Sequence, residues 1–147
     1  MHYYLSDEIS WKNFCKNIND HTTDNAYLLI TTFDGKIVRD KLQKKSKLTI
    51  SYTNNVGNKM VFAEINKLYT DTDTNETGLA IDIYNSTISK PGTYITEYIV
   101  DPDFLIKSLK KNCGMELIES DSFFCQASGY RNHQCSFRSL TRCRHCS

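Results

Sequence analysis

The sequence predicts an α/β domain that carries an antiparallel β excursion. Three observations support this. A short apolar run at 26–33, rich in β-branched and aromatic residues, lies between two segments of helical periodicity. Four strand-like runs separated by turn residues occupy most of 46–100. A third helical segment then opens at Asp101-Pro102 and leads into a last strand-like run at 115–124.

The first helix is expected over 7–18. Trp11, Phe14, Cys15 and Ile18 follow i, i+3, i+4, i+7 spacing and form one buried stripe. Ser6 is the expected N-cap, because its hydroxyl can accept from a free backbone amide. Asp7 and Glu8 place negative charge at the positive end of the helix dipole. The run AYLLITTF at 26–33 does not alternate, which reads as a strand buried on both faces at the centre of a parallel sheet. Asp34-Gly35 closes it, with Asp34 read as the cap of a short helix over 36–43 that turns Ile37, Val38 and Leu42 inward.

Strands are expected at 48–53, 59–69, 79–84 and 94–100. Leu79, Ile81 and Ile83 alternate with Ala80, Asp82 and Tyr84, as in antiparallel strands with one solvated face. In the third helix Asp101 caps and Pro102 occupies a position whose amide needs no partner. Leu105, Ile106 and Leu109 face inward, and Gly114 supplies the left-handed stop.

The 147 residues suffice for one domain. With 18 basic against 17 acidic residues the net charge is +1, so no long-range field draws the chain to nucleic acid. Any RNA contact must therefore be local. No apolar run approaches membrane-spanning length, and no signal peptide is visible, so no membrane partner is expected. Reduced thiols are the default for the six cysteines.

Composition changes abruptly at Cys125. Residues 125–147 contain no Lys, Asp, Glu or Ile, yet hold four of the five arginines: Arg131, Arg138, Arg142 and Arg144. Two segments follow, a domain at 1–124 and a Cys/Arg-rich tail at 125–147, read as appended, non-native or unstructured. Cys125, His133, Cys135, Cys143, His145 and Cys146 could in principle ligate zinc. A single C-x-x-C without a partner pair is weak evidence, and no metal site is assigned. A zinc-dependent RNA-binding module centred on the tail is the minor alternative.

Three stretches carry a resemblance. His2-Tyr3 stands just before the first helix, Leu29-Ile30-Thr31-Thr32-Phe33-Asp34-Gly35 forms a strand and its exit, and Ile83-Tyr84-Asn85-Ser86-Thr87 leads to Thr96-Glu97-Tyr98-Ile99-Val100. In this order and at these distances, over roughly residues 2–124, they resemble mRNA cap guanine-N7 methyltransferases. The match is closest to the large capping-enzyme subunit of poxviruses and related large DNA viruses. Asp24-Asn25, where cellular members have a Gly pair, also points to the viral branch.

The resemblance implies the C-terminal half of a class I, Rossmann-like S-adenosylmethionine-dependent methyltransferase fold, a doubly wound sheet whose last strand runs antiparallel. It implies transfer of methyl from S-adenosylmethionine to N7 of the guanine in a GpppN cap. By position, His2, Tyr3 and Glu97 would line the cap pocket, and Phe33 would approach the cap. A carboxylate at Glu97 can accept from guanine N1–H and N2–H together, a pair of donors no other common base presents. Such a contact would discriminate by roughly 1–3 kcal/mol. His2 could donate to the O6 or N7 side, and Tyr3 could pack on the base or ribose. No protein acid or base is needed, because N7 has a lone pair and the sulfonium is a good electrophile. Catalysis would come from alignment and electrostatics.

The family binds the donor upstream of the His-Tyr pair, and the six glycines here form no G-x-G pattern. The expectation is that these residues alone neither hold S-adenosylmethionine nor turn over, and that the missing N-terminal half is a partner. The resemblance further implies capped mRNA as substrate, a stimulatory capping-enzyme subunit, and a cytoplasmic setting such as a viral factory or virion. The alternative of another class is a catalytically inactive cap-binding or regulatory fragment.

Overall fold

The computed structural model describes residues 1–120 and the backbone of residues 140–143. Among these residues the chain is mixed α/β. A 3-10 turn, His2–Leu5, precedes α1 (Glu8–His21), β1 (Tyr27–Leu29) and α2 (Gly35–Leu42). Four strands follow: β2 (Lys47–Thr53), β3 (Lys59–Lys67), β4 (Ala80–Asn85) and β5 (Ile95–Tyr98). Then come α3 (Pro102–Cys113), β6 (Met115–Glu119) and β7 (Leu140–Cys143).

The antiparallel excursion is as the alternation foretold: β2, β3, β4 and β5 pair in sequence order, each antiparallel to the next. The register places Leu48, Ile65, Ile83 and Ile95 in one cross-strand row, with Ile81 opposite Glu97 in the neighbouring row. Because side chains alternate along a strand, these residues share a face. That face packs on α2, where Val38 and Leu42 join Ile65, Leu79, Ile81 and Ile99 in a core cluster. On the other face Glu64 collects three donors: Lys47 Nζ at 2.7 Å, the Tyr94 hydroxyl, and Thr49 Oγ1 at 3.4 Å.

A second core cluster lies between α1, α3 and β1, with Leu5, Trp11, Cys15, Ile18, Ile30, Val100, Leu105, Leu109 and Met115 buried. Trp11 Nε1 donates to Ser108 Oγ at 2.7 Å inside this packing, so the indole carries no orphaned donor. Asp34 caps α2 by accepting from the Lys36 and Ile37 amides, and Asp101 caps α3 by accepting from the Asp103 and Phe104 amides. Gly114 takes the left-handed conformation, φ 63°, that ends α3.

Three expectations are corrected. Asp7, not Ser6, caps α1: it accepts from the Ser10 amide, while the Ser6 hydroxyl donates to the Asp7 carboxylate. An extended Asp reaches the free amide and also brings charge to the helix dipole, so it outcompetes the neighbouring hydroxyl. The helix, expected to end at Ile18, continues to His21, where the Thr22 amide and hydroxyl both bond to the Ile18 carbonyl.

The apolar run at 26–33 is not a central strand of a parallel sheet among the described residues. Only Tyr27–Leu29 forms a strand, at the edge of a three-stranded sheet ordered β1-β7-β6, with β7 antiparallel to both neighbours. Tyr27 and Leu29 share the face turned away from the core and remain 67% and 69% exposed, while Leu28 between them packs against the core cluster. Ile30 and Thr32, just beyond the strand, are buried. The last expected strand, 115–124, ends at Glu119, and its final residues lie outside the described ones. The backbone of 140–143, within the compositionally distinct segment, forms the middle strand of this sheet.

No helix among the described residues is long and apolar enough to cross a membrane.

Candidate functional site

The 3-10 turn that carries His2 is fixed at several points. Leu5 is fully buried in the core, and its carbonyl accepts the Gly78 amide at 2.8 Å, tying the turn to the start of β4. Tyr4 stacks on Phe14 of α1 with ring centroids 4.5 Å apart. A near-terminal residue that would ordinarily be solvated is thereby held against β5.

Glu97 approaches from the other side. It shares its face of the strand with Ile95, two residues before it, and lies opposite the buried Ile81, so its carboxylate projects from the packed face of the sheet. His2 Nε2 stands 3.6 Å from Glu97 Oε2, with the two side chains 18% and 19% exposed. Glu97 Oε2 itself is buried and accepts no hydrogen bond from the described residues. A carboxylate oxygen in that position is costly unless a donor meets it.

Two further residues complete the surroundings of the imidazole. The Phe33 ring lies 5.6 Å from that of His2, inclined at 42°. Thr32 Oγ1 lies 3.5 Å from His2 Nδ1 on the side of the ring away from Glu97. Burial is the largest influence on His2 and holds its pKa below the ordinary value near 6.5. The Glu97 carboxylate opposes this, the amino terminus adds to it, and a ring N–H directed at the Tyr98 carbonyl opposes it.

The structure therefore brings together His2, Phe33 and Glu97 out of the four residues named from the sequence. Tyr3 stands apart at 60% exposure, its ring available to solvent at the lip of the turn. Thr32 was not singled out from the sequence. Its signal is a polar residue, 4% exposed, in an otherwise apolar run. Asp34, buried beside this group, serves as the cap of α2.

No protein-family model matches the chain. Over 133 residues, 90% of its length, it is 61% identical to a probable mRNA-capping enzyme of Acanthamoeba polyphaga mimivirus. The chain is similar to one region of a viral capping protein. It spans about 11% of the length of that relative. The likeness extends over most of the chain.

Among the described residues no group of three or more His, Cys, Asp or Glu side chains could hold a metal ion. The zinc candidates Cys125, His133, Cys135, Cys143, His145 and Cys146 lie outside the residues whose side chains are described.

Proposed function

We propose that this chain forms the cap-guanine side of an mRNA cap guanine-N7 methyltransferase, with His2, Tyr3, Phe33 and Glu97 as the contacts to the base. The observation that carries this reading is the Glu97 carboxylate: buried in part, projecting from the packed face of the sheet, with Oε2 lacking a hydrogen-bond donor among the described residues. A guanine edge would bring N1–H and N2–H to its two oxygens. Identity to a probable viral capping enzyme supports placing this pocket in the capping reaction.

Two features of the fold agree with a class I, Rossmann-like methyltransferase. The last strand, β7, runs antiparallel to both of its neighbours, and a four-stranded antiparallel sheet is inserted between β1 and α3. In this reading His2 donates from Nε2 toward the base, Phe33 packs against it, and Tyr3 closes over the exposed side. S-adenosylmethionine would be held by residues outside this chain. Its sulfonium would supply the methyl group, and the chain's own residues would fix the angle and distance at which N7 meets it. Capped transcripts are the substrate, the rest of a capping polypeptide and a stimulatory subunit are the partners, and a cytoplasmic viral compartment is the setting.

The test is fluorescence titration with GpppG, set against ApppA and CTP, on the full chain and on its Glu97→Gln variant. Glutamine keeps the shape but offers one acceptor instead of two. The expected loss of guanine preference is about 5- to 150-fold, the range for one bidentate base contact. Equal binding of GpppG and ApppA by the unaltered chain would defeat the proposal.

A further inference from the structure

The four-stranded antiparallel sheet ends on β2, which pairs with β3 on one side and with no strand on the other among the described residues. The backbone groups of residues 48–52 form no hydrogen bond with any described segment except β3. An unpaired edge turns alternate N–H and C=O groups outward and can template a further strand. Folded proteins usually guard such an edge with a charge, a proline or a bulge. The strand here, Lys47-Leu48-Thr49-Ile50-Ser51-Tyr52-Thr53, contains no proline and no acid. Its one charge is drawn inward, because Lys47 Nζ lies 2.7 Å from Glu64 of β3. The irregularity in the β2–β3 register adds its extra residue, Phe62, to β3 and leaves β2 without a bulge of its own.

This strand is complementary to itself. In an antiparallel pair centred on Ile50, Ile50 meets its own counterpart, Thr49 meets the partner's Ser51, Leu48 the partner's Tyr52 and Lys47 the partner's Thr53. Hydroxyl faces hydroxyl, apolar side chain faces apolar side chain, and no charge faces a like charge, the combinations that stabilise cross-strand pairs. Side chains alternate, so Leu48, Ile50 and Tyr52 share the face that packs on α2, and Thr49 and Ser51 share the other. α2 buries that face around Ile65, Leu79, Ile81 and Ile99, and from β2 only Leu48 packs at the margin. Beyond it Tyr52 and Met60, opposite one another, are left 37% and 43% exposed. Moving the centre to Thr49 or Ser51 shortens the ladder. Slipping one strand by a single residue turns its apolar side chains to the polar face.

We propose that two copies of this chain associate through their β2 edges, antiparallel and centred on Ile50, into one continuous sheet with four strands from each copy. The partner's Leu48 then lies against Tyr52, and the reciprocal contact covers Leu48, as a twofold interface requires. The axis runs perpendicular to the sheet, so both copies turn the face carrying Glu97 to the same side. β5, which carries Glu97, is the edge of the sheet farthest from β2. The pairing therefore leaves the candidate site open and does not depend on what binds there.

Sedimentation equilibrium of the full chain, from micromolar to millimolar concentration, should show the mass rising from 17.0 kDa toward twice that value. Isotope-filtered NOE spectra on a mixture of labelled and unlabelled copies read the register. Contacts of Leu48 with Tyr52 and of Thr49 with Ser51 between copies are expected; within one strand these first two residues are too far apart to give one. Tyr52→Lys sets a charge against the partner's Leu48 and should weaken association by about 10-fold or more. Phe62→Lys, at an equally exposed apolar residue of β3 away from the edge, should leave it unchanged. A constant 17.0 kDa over the whole range overturns the proposal. So does association that Phe62→Lys weakens and Tyr52→Lys does not, which would assign it to the exposed apolar residues at large. The NOE contacts are read on the unaltered chain, so their absence from a dimer overturns the register even where Tyr52→Lys fails to fold.

Discussion

The Gly35 amide donates to the Val100 carbonyl at 3.0 Å, joining the start of α2 to the chain as it leaves β5. This approach is close enough that a β-carbon on Gly35 would lie 2.3 Å from the same carbonyl oxygen. The contact sets the spacing between the segment carrying Thr32 and Phe33 and the strand carrying Glu97. Val100 belongs to one core cluster and its neighbour Ile99 to the other, so both clusters are fixed by this junction.

Gly35→Ala should therefore destabilise the chain by about 1–3 kcal/mol, as overpacking against backbone does. Urea unfolding measures it. An unchanged midpoint would mean that α2 shifts away from β5 without cost.

Trp11 and Ser108 should be coupled energetically. The indole donates to Ser108 Oγ at 2.7 Å, and Asn112 Nδ2 donates to the same oxygen at 2.8 Å. Trp11→Phe removes the donor but leaves Ser108 partnered, so the cost of the lost hydrogen bond should be modest, about 0.5–1.5 kcal/mol beyond the change in packing. A double-mutant cycle with Ser108→Ala isolates the interaction, and additive effects would show that the contact contributes nothing.

Replacing Asp101 by Ala should cost about 1 kcal/mol, the usual contribution of a helix N-cap. Its carboxylate accepts from the Asp103 and Phe104 amides at 2.8 and 3.1 Å. Asp101→Asn, which keeps an accepting oxygen, should recover most of the loss. Equal losses in the two variants would assign the effect to charge at the helix dipole instead of capping.

Stability should fall as pH is lowered through 6.5, and His2 should account for part of the fall. Burial depresses the His2 pKa in the folded chain, so below 6.5 the unfolded chain binds a proton that the folded chain does not. Unfolding is then favoured progressively until the folded value is reached, and above 6.5 the group contributes no pH dependence. Glu64 and Asp71 act in a separate window. Hydrogen bonds from Lys47 and Lys67 lead the causes that hold their pKa values below 4.5 and 3.8. Their stabilisation is present above those values and lost as pH falls through the folded ones. His2→Asn should flatten the slope just below 6.5 and leave the acidic limb in place. A slope that survives this substitution intact would assign it to another group.

Much of the fold was legible because local signals agreed with tertiary packing. Asp34 and Asp101 announced their helices as caps, Gly114 announced a stop, and the alternation of Leu79, Ile81 and Ile83 foretold the paired face of β4. Ser6 and Asp7 were harder to separate, since either can cap, and only the extended conformation of Asp7 chose between them. The site was legible only in part. His2, Phe33 and Glu97 emerge from the sequence by resemblance, and the structure brings the three together. Tyr3 leaves that group because successive residues of a tight turn point in different directions.

By itself the sequence determined the helices and the four-stranded antiparallel sheet. Each follows from neighbours in the chain, through periodicity, capping or turn chemistry. Only the tertiary structure decided that β1 is an edge strand, that the backbone of 140–143 fills the centre of its sheet, and that Thr32 stands behind His2. Those are relations between residues 30 or more positions apart in sequence. No local preference encodes them, because they depend on which surfaces the packed core leaves facing one another.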